Sequence, residues 1–161
     1  MSAQASAPVR ESAPEIKAWV GLLRAHASAI RRFNSELLAA HGLTLNDYEV
    51  LLHLSRAPER KLRRVDLAER VLLTPSGITR LLEGLERCGF VERSTCASDA
   101  RVTYAQLTES GDEKLREAAS THLLDIREFF AERFSRDELK ALAGLLERLP
   151  VEPGGSEDCS P

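Results

Sequence analysis

The segment that most limits what this chain can fold into is Thr74 to Val91, TPSGITRLLEGLERCGFV. It carries the start and stop signals of one helix. Thr74 suits the N-cap, and Pro75 falls at the first helical position, where its missing N–H is harmless. Gly89 supplies a left-handed stop, after which Phe90 can fold back onto the helix. Between them Ile78, Leu81, Leu82 and Leu85 recur at i, i+3, i+4 and i+7, the spacing of a buried face. That phase turns Ser76, Gly77, Thr79, Arg80 and Glu83 outward.

The neighbours say what such a helix packs against. Upstream, residues 63–70 read as a short helix that buries Val65, Leu67 and Ala68, with small Ala68 permitting close approach. Downstream, Val91–Ser94 and Arg101–Leu107 are rich in β-branched and aromatic residues and flank a polar stretch, Thr95–Ala100, as in a hairpin. Helix, turn, helix and two-stranded hairpin in this order describe a winged helix-turn-helix.

Longer helices flank the module. Residues 14–41 carry an apolar stripe of Ile16, Val20, Leu23, Ile30, Phe33 and Leu37, widened by Trp19, Leu22 and Leu38, and Gly42 ends it. Thr44 is expected to cap a second helix, with Asp47 at N3, an inner face of Tyr48, Leu51, Leu52 and Ser55, and a close at Ala57-Pro58. Thr108 caps a helix reaching about Phe134, and residues 136–149 form the last, with Leu139, Leu142, Leu145, Leu146 and Leu149. Stripes this wide pack on something outside the local fold. The expected class is mainly α with a small β-hairpin wing. Its parts are disordered ends at 1–13 and 150–161, a DNA-binding domain at 44–107, and a helical dimerisation region at 14–43 and 108–149.

Charge supports the same division. The net charge of −3 does not advertise a nucleic-acid partner. Between Lys61 and Leu107, however, eight basic residues face six acidic ones, a net +2 that leaves −5 on the remainder. No run approaches 18 apolar residues, so no membrane span is expected. The opening MSAQASAPVRESAP has no apolar core of the signal-peptide type, and a cytoplasmic protein is expected. Cys88, Cys96 and Cys159 form no CxxC pair, which fits a reducing compartment.

Groove geometry then selects residues. The major groove of B-DNA admits one helix, read through short side chains and Arg near its N-terminus. Ser76, Gly77, Thr79 and Arg80 meet that requirement, and the free amides near Ser76 can hold a phosphate oxygen. At the hairpin tip Asp99 can aim Arg101, and a cation on a thin ribbon suits the minor groove.

TPSGITRLLEGLERCGFVER followed by SDARVTYAQLTESG resembles the MarR family of bacterial transcription regulators, over about residues 14–149. The most specific elements are Gly89-Phe90-Val91-Glu92-Arg93, Asp99-x-Arg101 and Leu107-Thr108-x-x-Gly111. The resemblance implies an obligate homodimer with interlocking first and last helices. It also implies recognition residues at Ser76, Gly77, Thr79 and Arg80, and a wing arginine at Arg101. A two-fold dimer is expected to bind a pseudo-palindromic operator as a repressor or an activator, and the resemblance implies a small aromatic or anionic ligand bound between the dimerisation helices and the DNA-binding lobe. Trp19, Arg24, His26, Tyr48 and His53 are the candidates for that ligand.

Other functions have less behind them. There is no GxxxxGK[ST], HExxH or GxSxG, so no enzyme is expected, nor any cofactor. The four histidines lack metal-ligand spacing, and no metal is expected. A redox-responsive regulator would use Cys88, expected half-buried, or Cys96 at the hairpin tip. A winged helix that binds protein would present an apolar or acidic outward face, which Ser76, Thr79 and Arg80 do not supply.

Overall fold

The computed structural model describes residues 13–95 and 102–150. Asp99, Arg101, Cys96 and Cys159, with nearly all of both expected tails, lie outside the described residues. Two compact units make up the chain, one ending at Arg32 and one beginning at Phe33.

Helix α1 (Pro14–His41) contributes to both units. Up to Arg32 it buries nothing, and Trp19, Leu22, Leu23 and Ile30 are exposed. Its end lies in the second unit, where Gly42 adopts φ +68 and donates to the Leu38 carbonyl. A left-handed residue at that point is the helix stop that the glycine foretells.

The second unit holds the module. Helix α2 (Leu45–Arg56) begins with a full capping box. Thr44 accepts from the Asp47 amide, and the Asp47 carboxylate accepts from the Thr44 amide and hydroxyl. Asn34 accepts from the Leu45 amide at 3.0 Å, which ties this helix start to α1. After α2 comes a single 3-10 turn (Pro58–Arg60), then strand β1 (Lys61–Arg63) and helix α3 (Arg64–Arg70). Helix α4 (Pro75–Arg87), strands β2 (Val91–Thr95) and β3 (Thr103–Leu107), and helices α5 (Glu109–Ala131) and α6 (Arg136–Leu146) follow. The last two helices each end three residues before their expected ends.

The sheet has three strands, not the two expected, in the order β1-β3-β2. β2 pairs β3 from Val91↔Leu107 to Thr95↔Thr103, and β1 covers β3's other edge from Lys61↔Gln106 to Arg63↔Tyr104. A three-residue KLR segment has no legible alternation. It becomes a strand because β3's free edge offers backbone groups that need partners.

Helix α3 corrects a second expectation. Val65 is 60% exposed, whereas Leu67 and Ala68 are buried. Two residues apart on a helix means nearly opposite faces, so burying Leu67 forces Val65 outward. The helix closes with Leu73 N–H to Ala68 O (2.8 Å) and Leu72 N–H to Glu69 O (3.3 Å). Leu72 sits at φ +54, where glycine is usual, and is 91% exposed.

Glu59 and Arg60 are also left-handed, at φ 51 and 56, a conformation that costs a non-glycine residue on the order of 1 kcal/mol. Arg60 lies 3.5 Å from both Glu109 and Asp112 in the first turn of α5, and Arg116 shares Asp112. These ion pairs offset part of the strain and tie the entry to β1 onto α5.

The core gathers apolar faces from the end of α1, from α2 to α5, and from β2 and β3. Leu37, Val50, Leu51, Leu54, Leu67 and Leu82 are almost wholly excluded from solvent. Leu115 and Ala118 of α5 complete it, while α6 buries no residue. Each such leucine contributes roughly 1.5–3 kcal/mol of burial, so the module is held mainly by this shared interior.

Candidate nucleic-acid interface

Helix α4 starts where its sequence says. Thr74 is extended at φ −69, ψ 158, and its hydroxyl accepts from the Gly77 amide at 3.1 Å. At the other end Phe90 N–H reaches Leu85 O and Gly89 N–H reaches Glu86 O, both at 3.0 Å, with Gly89 at φ +76. This is the Schellman arrangement. With both ends set and Ile78, Leu82 and Leu85 buried, the outward face has no rotational freedom.

That face carries Ser76, Arg80, Glu83 and Arg87, all exposed, with Thr79 partly exposed beside them. Arg80 makes no ion pair among the described residues, so its guanidinium is available to an outside acceptor. Thr79 donates to the Pro75 carbonyl at 2.8 Å and keeps its lone pairs for a donor on a partner. Ser76 stands 3.2 Å from the Thr74 hydroxyl. Gly77 proves different from its companions. A Cβ there would point at Thr74 Oγ1 (3.2 Å) and Leu73 Cβ (3.6 Å). Its small size therefore also eases the cap.

A cleft of about 550 Å³ opens beside this helix. Its walls include Arg64, Val65 and the carboxylate-bearing Glu69 of α3, Pro75 and Thr79 of α4, and Val102 with Thr103 at the start of β3. Arg63 also borders it, but its guanidinium is held by Asp66 through two bonds of 2.9 and 3.0 Å. Sequence reasoning did not single out these two arginines, because a pair beside a short helix carries no distinctive spacing.

The small-molecule candidates fall into separate places. Trp19, Arg24 and His26 are exposed on α1 in the first unit. Tyr48 is 6% exposed and packs against the edge of His122, ring centroids 4.8 Å apart. Burial raises its pKa, with Arg56 opposing. His53 lies on another face of α2, its pKa lowered by burial and by Arg70 and Arg56. Tyr48 and His53 therefore do not face one site. Cys88, expected half-buried, is exposed at the end of α4, because the Schellman turn leaves its side chain outside the core. Among the described residues no cluster of His, Cys, Asp and Glu suits a metal ion. No described helix is long and apolar enough to cross a membrane.

His122 of α5 is the buried titratable group at the junction of α1, α2 and α5. It is 6% exposed and edge-on to Phe33 at 5.3 Å, and its Nδ1 has no hydrogen-bond partner. Burial lowers its pKa from the ordinary 6.5, and Asp125 and Glu36 offset part of that. The unfolded chain therefore takes up a proton near pH 6.5 that the folded chain refuses. Stability is unaffected well above that pH and declines as pH falls through and below it. His53 adds a contribution of the same sign. Thermal melts between pH 7.5 and 5 should show this decline, with a shallower slope in His122→Phe. An identical slope in that variant would remove His122 from the account.

Comparison with known proteins follows this geometry. A family model described as MarR family matches residues 41–102. The HTH-type transcriptional repressor YetL of Bacillus subtilis is 34% identical over 117 residues, 70% of each chain. YkoM of the same organism, an uncharacterised HTH-type transcriptional regulator, is 30% identical over 140 residues, 85% of this chain and 89% of its own. Among solved structures, Sco3205 of Streptomyces coelicolor, a MarR family regulator crystallised in complex with DNA, is 28% identical with a TM-score of 0.77 and 89% coverage of both chains. AbsC of the same organism is 29% identical with a TM-score of 0.74, covering 86% of this chain and 94% of its own.

Proposed function

Since this chain belongs to the MarR family of winged-helix, DNA-binding transcription regulators, we propose that it acts as a homodimeric repressor that reads a pseudo-palindromic operator through α4. The observation that carries this reading is the outward face of that helix. Ser76, Thr79 and Arg80 lie together at its N-terminal half, and Arg80 has no ion-pair partner among the described residues. Short hydroxyl side chains let the backbone approach base edges, and Arg80 reaches guanine O6 and N7. Asp99 and Arg101 enter the proposal as the wing contact on the basis of sequence. The relative with a DNA complex and the relative named as a repressor support this assignment.

The dimer rests on apolar surface. Leu123 and Leu124 of α5 and Leu145 and Leu146 of α6 are exposed, with Phe134 and Leu149 just beyond those helices. In the first unit Trp19, Leu22, Leu23 and Ile30 are exposed as well. So many exposed large apolar side chains on α5 and α6 mark an interface rather than a finished surface. A two-fold dimer places two α4 helices in successive major grooves, so half-sites are expected about 10 bp apart.

Selection of bound fragments from a random DNA pool tests this reading. It should return an inverted repeat, and Arg80→Ala should weaken binding to it about tenfold or more while relaxing preference at the contacted base pair. A variant with wild-type affinity and preference would take Arg80 out of the interface.

A further inference from the structure

The cleft beside α4 holds an unsatisfied cation. Arg64 Nη2 is buried and has no hydrogen-bond partner. Its neighbour Arg63 shows what a compensated guanidinium looks like in this place, with both Asp66 oxygens engaged. A buried guanidinium N–H without an acceptor is an unfavourable arrangement that native structures rarely keep without cause. Arg64 nonetheless lines an open cleft of about 550 Å³.

The position of that cleft says what fills it. One wall is Pro75 and Thr79 at the start of α4; the other is Val102 and Thr103, where the chain returns from the hairpin tip. In the reading above, α4 occupies a major groove and the hairpin tip the adjacent minor groove. One sugar-phosphate strand separates any two such grooves. That strand must cross between the two walls, over Arg64 and Val65. Val65 fits the same ligand, since its 60% exposed apolar side chain can cover a deoxyribose. In helix-turn-helix proteins generally the first of the two helices crosses the DNA backbone.

We propose that the cleft between α3, α4 and β3 is a seat for one backbone phosphodiester of the operator, with Arg64 as its ligand. The inference rests on the proposed DNA reading and adds a contact that carries no base information. Arg64 sets register and strength, while Ser76, Thr79 and Arg80 set sequence.

The test is Arg64→Gln, which removes the charge and leaves a shorter polar side chain that keeps the aliphatic stem. Affinity should fall roughly five- to tenfold on selected and unrelated DNA alike, leaving base preference unchanged. The dependence of log affinity on log salt should become shallower by about 0.9 per protomer, close to two for a dimer. The melting temperature of the free protein should hold or rise, because a buried N–H without an acceptor is lost. Methylphosphonate substitution at the phosphates between the two grooves should weaken wild-type binding and leave the variant indifferent. An unchanged salt slope, or a lowered melting temperature with unchanged binding, overturns the phosphate seat and makes Arg64 a packing residue. If the wild-type chain binds no DNA in the pool selection, the DNA reading itself fails, a result distinguishable from either outcome for Arg64.

Discussion

Gly111→Ala is expected to destabilise the folded chain by about 3 kcal/mol or more, a large share of the roughly 5–15 kcal/mol that holds such a domain together. Two physical effects oppose each other at this position, and they differ in sign. Gly111 lies in the first turn of α5, where alanine would ordinarily gain about 1 kcal/mol of helix propensity. A Cβ, however, would stand 2.0 Å from the Phe90 carbonyl oxygen and 2.8 Å from Leu107 Cδ1. The backbone neighbour cannot yield. Phe90 O accepts from Thr108 N–H at 3.1 Å, and the Thr108 hydroxyl donates to Gly89 O at 2.7 Å. The Gly111 amide in turn donates to that hydroxyl oxygen at 3.0 Å. The turn that ends α4 is thus laid directly on the turn that starts α5, with room only for hydrogen. Gly84→Ala supplies the contrast: its Cβ would meet only the end of Arg87 at 3.8 Å, so that variant should gain stability. Urea melts decide the matter, and a Gly111→Ala variant as stable as wild type would mean the close approach does not exist.

The second large effect concerns α6. Replacing Leu145 and Leu149 together with glutamate should produce a folded monomer and cut affinity for the two-half-site operator by a hundredfold or more. In one chain both side chains face solvent, at 59% and 48% exposure, so charge is tolerated there. In the proposed dimer the same positions would be desolvated, and each buried carboxylate without a partner would cost several kcal/mol. The loss in DNA binding follows from geometry alone. Linked half-site contacts share an effective concentration in the millimolar range, and separating the protomers forfeits that gain. Sedimentation at low micromolar concentration should find wild type as a dimer and the double variant as a monomer with the same helical circular dichroism. A wild-type monomer under those conditions would dismiss the paired reading of α1, α5 and α6.

Much of the fold was legible because local signals did the specifying. Thr74, Pro75 and Gly89 bound α4 through backbone chemistry that needs no distant partner, and Thr44 with Asp47 does the same for α2. Where the signal was not local, the reading slipped. Val65 looked like a core residue, but on a two-turn helix the facing is decided by which side meets the neighbours, and Leu67 won. The KLR strand has no pattern of its own and exists because β3 had an open edge. That Gly77, one of the expected recognition residues, also relieves its own N-cap is visible only in three dimensions.

The amino-acid sequence by itself determined where α2 and α4 begin, where α1 and α4 stop, and which side of α4 faces out, since caps, left-handed glycines and a 3.6-residue apolar period act over a few neighbouring residues. Only the tertiary structure decided that Gly111 must lack a side chain, that Arg63 is compensated while Arg64 is not, and that a cleft separates α4 from β3. Those facts depend on segments far apart in the chain meeting at van der Waals distance, and no periodicity along one strand of sequence records such a meeting.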